Sequence, residues 1–266
     1  MRIAQTVRCD DEIELMRIAG RKLALVHKAL REHIRPGITT KSIDELGERL
    51  ILEQGGIPNF KNYGGYPASI CVSVNDEIVH GIPCEDRILA EGDIVSLDAG
   101  LIWKGYHADA ARTWGVGKIS PEAAGLIRVT RESFFAGIRF ARSGYHVHDI
   151  GRAVEEYAAS HGYSVVRELT GHGIGTRLHE PPLVPNTRQK GYGWLLVPNM
   201  TIAVEPMLTS GSADILQSED GFTVRTADGS LSAHYENTIL VRDGEPELLT
   251  CIHAEESGSD IMTADI

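Results

Sequence analysis

The chain has 266 residues, 42% of them hydrophobic, and a formal net charge of -11. That length suffices for a sizeable core in one large domain or two fused halves. The acidic balance, with no basic cluster, argues against a nucleic-acid-binding surface.

The opening residues, MRIAQTVRCDDEIELM, lack the apolar core of a secretory signal, and no run approaches membrane-spanning length. Cys9, Cys71, Cys84 and Cys251 show no CxxC spacing, so neither a disulfide framework nor a structural zinc module is expected. A cytoplasmic setting, without membrane or nucleic-acid partners, is the simplest expectation.

From Asp10 the pattern is helical, with Met16, Ala19, Leu23, Val26 and Leu30 three to four residues apart. The helix should stop before Pro36-Gly37. Thr39 or Thr40 can cap a second helix, whose apolar positions Ile43, Leu46 and Leu50 run to Gly55-Gly56. Next, NYGGYPASICVSVNDEIVHGIP reads as a hairpin in which a turn at Val74–Glu77 sets Cys71 opposite His80. A thiol facing an imidazole admits a nucleophile, but no third group orients the histidine and no helix N-terminus activates the cysteine. A small buried Cys71 is the preferred reading.

The stretch GDIVSLDAGLIWKGYHADAARTW, from Gly92, contains two apolar runs, ending in Asp98 and near Asp109. A type I turn at Ile102-Trp103-Lys104-Gly105 would set the two aspartates directly opposite each other. Their Cβ atoms would then lie about 5 Å apart. Facing carboxylates repel, so a cation is expected between them. A divalent pair about 3.5 to 4 Å apart fits that gap.

A second half opens at Ser120-Pro121-Glu122-Ala123 with a helix running through Phe135. Ser143-Gly144 then echoes Pro36-Gly37, Ile150 echoes Ile43 and Gly162 echoes Gly55, all at an offset of 107 residues. This suggests a duplication with approximate two-fold geometry. Tyr163 to Leu169 is strand-like and enters GHGIGTRLHEPP. There the glycines let backbone pass close to His172 and a ligand, and the loop must fold back to bring His179 near. Met200–Val204 delivers Glu205 before Pro206, and Ser232–Val241 reads as one strand with His234, Glu236 and Thr238 on one face. The residues after Leu249 read as a loose terminus.

Asp98, Asp109, His172, Glu205 and Glu236 thus make a set of four carboxylates and one imidazole. Mn²⁺, Fe²⁺, Co²⁺ or Zn²⁺ suit such ligands, and four acids can hold two ions. Because both halves contribute, the site is expected in the cleft between them.

At these residues the sequence resembles the bacterial type I methionine aminopeptidases, within the pita-bread metallopeptidase group. The resemblance runs from about Glu12 to Thr250. It is carried by NYGGYPASICVSVNDEIVHGIP, GDIVSLDAG with GYHADAARTW, LTGHGIGTRLHEPP, MTIAVEPM and DGSLSAHYENTILV. It implies an α+β pita-bread fold with two pseudo-symmetric helix-helix-strand halves, about 12–116 and 119–242. These would form one central curved antiparallel sheet backed by helices, in a single catalytic domain of residues 1–250 with a tail at 251–266.

The resemblance further implies that Asp109 and Glu236 bridge two ions, that Asp98 holds one and that His172 and Glu205 hold the other. His80 and His179 fall on the family's histidines that stand beside the metal ligands and face the substrate, and Tyr63, Tyr66, Cys71, Leu178 and Phe222 on its methionine pocket. Leu178 and Phe222 stand where larger aromatics are usual, and Asn59 takes a rim position where some relatives carry a small thiol residue. The implied activity is removal of the N-terminal methionine from nascent chains, with a small second residue preferred, by a metal-activated bridging water. Glu205 would exchange protons with that water and the leaving amine. A monomer is expected, with the ribosome as a candidate partner. The alternatives are an Xaa-Pro aminopeptidase or dipeptidase of the same fold, and a non-catalytic peptide-binding protein on this scaffold.

Overall fold

The structure, a computed structural model, describes residues Thr6 to Cys251. The expected loose tail therefore lies, from residue 252 onward, outside the described residues. Cys251 itself is buried.

In the first half, α1 (Asp10–His33) and α2 (Thr40–Glu53) form where the apolar periodicity puts them. Met16, Ala19, Leu23, Val26 and Leu30 are all buried on α1. The Thr39 hydroxyl caps α2 by accepting from the Ser42 amide at 3.1 Å. The strands follow as β1 (Ile57–Pro58), β2 (Ile70–Val74), β3 (Glu77–Val79), β4 (Ile94–Trp103) and β5 (Tyr106–Gly115). β4 is the spine, pairing with β1 and β2 on one side and β5 on the other, while α1 packs across β4 and β5. Leu23, Ile43, Ile70, Leu97 and Leu101 close one apolar core between helices and sheet.

The second half repeats the arrangement with α3 (Pro121–Ile138), capped by Ser120, and α4 (Val147–Ser160). Gly37 and Gly144, each between two helices, have φ of 89° and 88°, and Gly55 and Gly162, each after the second helix, have 72° and 83°. Only glycine adopts these values freely, so the repeat noticed in the letters is a repeat of backbone shape. The strands are β6 (Ser164–Val165), β7 (Thr170–Gly173), β8 (Glu180–Pro185), β9 (Thr201–Val204), β10 (Met207–Thr209), β11 (Ile215–Gln217), β12 (Val224–Thr226), β13 (Ser232–His234), β14 (Asn237–Leu240) and β15 (Glu247–Leu248). They pair antiparallel in the orders β15-β14-β9-β7-β8, β13-β10-β6 and β11-β12-β3. A second apolar core, including Phe134, Ile150, Ile202 and Ile239, lies under α3 and α4.

The halves meet where β5 runs beside β13 and β14. The Glu236 amide donates to Ala111 at 2.9 Å. The Thr238 hydroxyl accepts from the Asp109 amide and donates to its carbonyl, both at 2.9 Å. The Thr113 hydroxyl serves His234 in the same way, at 2.8 and 2.9 Å. Threonine hydroxyls here replace ladder bonds, which keeps the curved surface continuous across the seam.

Four local expectations are corrected. The β4–β5 turn is centred one residue further along, on Lys104-Gly105, with φ of 49° and 85°. Positive φ at both central residues gives the primed turn that suits the twist of a two-residue hairpin, in place of type I. Asp98 therefore faces Ala111, and Asp109 faces Gly100. The two aspartates are diagonal neighbours on one face, not direct partners.

Cys71 faces Asp98 across the ladder, not His80, because β3 leaves β2 to pair with β12. The expected strand 163–169 is cut to β6, since the chain changes sheets before β7. The single strand 232–241 is two, β13 and β14, broken at Tyr235-Glu236. β9 and β10 break alongside it at Glu205-Pro206, where the Tyr235 amide donates to Pro206 at 3.2 Å. Both glutamates sit at these coordinated breaks, where the chain passes from one sheet to the next.

Candidate metal centre

Both strand breaks and the β4–β5 hairpin open into one cavity of about 760 Å³, which Asp98, Asp109, His172, Glu205 and Glu236 line together. Asp109, His172 and Glu236 are 4%, 5% and 2% exposed, and one ligand atom from each lies within 4.8 Å of the others. His172 Nε2 is 3.5 Å from Glu205 Oε1 and 4.0 Å from Asp109 Oδ2. These separations are long for direct hydrogen bonds. They suit ligand atoms that each stand about 2 Å from a shared ion.

The donor chemistry fits a cation. His172 Nδ1 donates to the Gly173 carbonyl at 2.9 Å, which fixes the tautomer and leaves the Nε2 lone pair facing the acids. Burial lowers the pKa of His172 to about 4, so the ring is neutral at physiological pH. Asp98 Oδ1, Asp109 Oδ1 and Glu236 Oε1 are buried with no hydrogen-bond partner among the described residues.

Burial pushes the Asp98 carboxyl up to about 7. Burial, then repulsion from Asp98 and Glu205, drives Asp109 well above its ordinary range. Burial followed by Asp98 raises Glu205 in the same direction. Glu236 is raised by burial, then by Asp109, Glu205 and Asp98, against the opposing Arg112. Four buried acids that raise one another are costly unless cations compensate them.

The residues expected to contact substrate line the same cavity. Tyr63, Tyr66, Cys71, His80, Leu178, His179 and Phe222 all border it, together with Phe60. His179 stacks edge-on to His172, with ring centroids 4.3 Å apart, so the loop between β7 and β8 does fold back. Its Nδ1 is 2.7 Å from the Tyr63 hydroxyl. The Tyr66 hydroxyl donates to the Gly81 carbonyl at 2.7 Å, and its ring meets Phe222 edge-on at 5.4 Å. His80 carries a φ of 58°, a conformation uncommon outside glycine and asparagine.

Asn59 is corrected. It is buried against Gly100 and donates to the Ala108 carbonyl at 3.4 Å, and it does not line the cavity. The thiol-hydrolase idea also weakens. Burial, then Asp98, raises the Cys71 thiol well above its usual range, opposite to an activated nucleophile.

Two features of the site were not assigned from the letters. His234 is 2% exposed, and its Nε2 lies 3.9 Å from Glu205 Oε2. Its two-residue spacing from Glu236 on one strand face was the available signal. Arg112 is buried behind the acids, donates to the Glu236 carbonyl and to Asn237 Oδ1, and stacks over Tyr235 at 4.4 Å. Nothing in its local sequence marks that role.

Residues 14–243 match the model of metallopeptidase family M24. The chain belongs to this family. A methionine aminopeptidase from Clostridium acetobutylicum is 49% identical to the M24 chain, over 92% of the latter and 98% of its own length. The crystal structure of a methionine aminopeptidase from Thermotoga maritima superposes with a TM-score of 0.90 at 39% identity, covering 92% of this chain and 99% of that one. Both place this M24 metallopeptidase with the bacterial methionine aminopeptidases. An Xaa-Pro dipeptidase from Bacillus anthracis shares the fold with a TM-score of 0.77 at 23% identity, but the present chain covers 63% of it.

Proposed function

We propose that the protein removes the N-terminal methionine from peptides and nascent chains with two divalent ions, preferring a small second residue. The observation that carries this reading is one cavity holding both the buried acid cluster and an apolar slot beside it. Phe60, Tyr66, Cys71, Leu178 and Phe222 line that slot. An unbranched thioether fits an apolar slot of this kind. The methionine aminopeptidase relatives support the same substrate.

Asp98, Asp109, His172, Glu205 and Glu236 would hold the ions, as Co²⁺, Mn²⁺, Fe²⁺ or Zn²⁺. When bound, such ions supply an acidified water and a Lewis acid for the scissile carbonyl. The protein's own groups do the rest. Glu205, at the edge of the cluster, takes a proton from the attacking water and passes it to the leaving amine. His179, held by Tyr63, donates to the carbonyl oxygen as charge develops there. His80 faces the free α-amine and limits cleavage to the first residue.

Metal analysis coupled to cleavage of Met-Ala-Ser and of Xaa-Pro dipeptides, each with and without a chelator, tests this. Metal-dependent release of methionine from Met-Ala-Ser is expected. Preferential Xaa-Pro cleavage would assign the other branch of the fold. Protein that binds metal and peptide without cleaving either would be a non-catalytic binder.

A further inference from the structure

Leu178 and His179 reach the cavity from the loop between β7 and β8, and the carboxylate of Glu180 is the hub of that loop. Its Oε1 accepts from the Arg177 amide at 3.0 Å and from the Thr176 hydroxyl at 3.3 Å. Its Oε2 accepts from Arg8 Nη2, and the two side chains are only 3% and 5% exposed. Arg8 also donates through Nη2 to the Ile174 carbonyl at 3.2 Å and through Nε to Thr201 Oγ1 at 3.1 Å. The Thr201 hydroxyl donates in turn to the Ile174 carbonyl at 2.5 Å.

The guanidinium packs against the loop at Gly175, where an added Cβ would collide with Arg8 Nη2 and Cζ. Arg8 itself is anchored from outside, its amide donating to the Asn199 carbonyl at 2.8 Å. Charged pairs this deeply buried are uncommon, and a rigid five-donor fork is the side chain able to serve several acceptors at once.

We propose that Arg8, which does not line the cavity, is a positioning residue. Acting through Glu180, it fixes the loop that presents His179 to the reacting carbonyl and Leu178 to the first side chain. The catalytic part of this statement rests on the function proposed above; the loop-fixing part does not.

The test uses metal-free and metal-loaded full chain carrying Arg8→Met or Arg8→Lys. In the metal-free protein, amide hydrogen exchange is expected to accelerate at least ten-fold at Arg177 in Arg8→Met, and less in Arg8→Lys. Exchange in β4 and β5 should stay at wild-type rates. In the loaded protein, kcat for Met-Ala-Ser should fall ten-fold or more in Arg8→Met and be partly restored in Arg8→Lys, with metal stoichiometry unchanged. Arg177 exchange within two-fold of wild type, with only a lowered Tm, would overturn the proposal. If Arg8→Met does not fold, Arg8→Lys decides: a several-fold faster Arg177 exchange supports the positioning role, and an unchanged rate ends it. Should wild-type protein fail to cleave Met-Ala-Ser, the proposed function falls, while the exchange measurement still judges the loop.

Discussion

Asp109 lies diagonally across the β4–β5 hairpin from Asp98, two residues out of direct register, with Gly100 as its own partner. Directly opposed residues would hold their Cβ atoms about 4.5 to 5.5 Å apart, whereas diagonal ones stand about 7 to 8 Å apart. The wider spacing leaves room for cations between two carboxylates that reach in from different points along the strands. The Glu236 amide donates to Ala111, the residue that faces Asp98, which draws a third acid into the same space. The seam between the halves and the metal centre are therefore built from the same contacts.

Glu205 is the more accessible of the cluster's glutamates, its side chain 14% exposed against 2% for the whole of Glu236. Removing its charge should damage proton transfer more than metal retention. Glu205→Gln is expected to lower kcat on Met-Ala-Ser by roughly 10²- to 10⁴-fold, the usual range for a lost general base. Titration calorimetry should still show most of the metal bound. Turnover at the wild-type rate would remove Glu205 from proton transfer.

The acids also set a pH dependence for the metal-free protein. Burial lifts Asp98 from its ordinary 3.8 to about 7 in the fold, and Asp109, Glu205 and Glu236 are likewise raised well above their ordinary range. A raised carboxyl stabilises the fold while protonated, and that contribution is lost as pH rises through the folded pKa. Buried histidines act in the opposite sense. His172 and His107 are lowered to about 4, and His27 and His234 to about 3, so their stabilisation grows as pH rises through the ordinary 6.5 and fades below it. Half of the unfolded-state histidine is still protonated at pH 6.5, so the histidine gain is nearly complete only above about pH 7, where the carboxyl loss sets the direction. The Tm of chelator-treated protein is expected to fall between pH 7 and 8, and saturating Mn²⁺ or Co²⁺ should remove that slope. A Tm that rises over this window would contradict a mutually repelling acid cluster.

The parts of this fold carried by periodicity were legible in the sequence. Met16 to Leu30 faces the core of α1 as spaced, Thr39 and Ser120 cap their helices, and the repeat at 107 residues is a repeat of backbone angles. Hairpin register was less legible, because Lys104-Gly105 and Trp103-Lys104 are both acceptable turn centres until strand twist selects the primed form. Moving the centre by one residue moves the pairing by two, and an even shift keeps Asp98 and Asp109 on one face. The strand end at Glu205 was marked by Pro206, but the break at Glu236 was hidden, since a strand that passes between two sheets keeps its alternation. Arg8 and Arg112 escaped notice because their partners, Glu180 and the Glu236 carbonyl, lie more than a hundred residues away.

Thiol chemistry separates cleanly from metal chemistry in this molecule. Cys71 is 3% exposed with its thiol pKa raised, whereas Cys9 and Cys84 are exposed. Iodoacetamide at pH 8 is expected to label Cys9 and Cys84 well before Cys71, and activity should outlast that labelling. A chelator should abolish turnover in the same preparation. Peptide mapping beside the residual rate measures both, and loss of activity in step with Cys71 alkylation would restore the thiol-hydrolase reading.

Leu178 is 2% exposed and packs in one cluster with Phe60, Tyr66 and Cys71, so it should bound the slot that receives the first side chain. Leu178→Ala removes contacts that an unbranched side chain would make and leaves space for a wider one. The loss in transition-state binding for Met-Ala-Ser should be about 1 to 3 kcal/mol, a fall in kcat/KM of roughly 10- to 200-fold. The folded state should lose about 2 to 5 kcal/mol, the range for truncating a buried leucine. Stability and kinetics measured at one temperature keep the two effects apart. The decisive quantity is the ratio of kcat/KM for Met-Ala-Ser to that for Phe-Ala-Ser, which should shrink as the slot widens. A ratio equal to that of the wild type would mean that Leu178 supports the fold without shaping the choice of first residue.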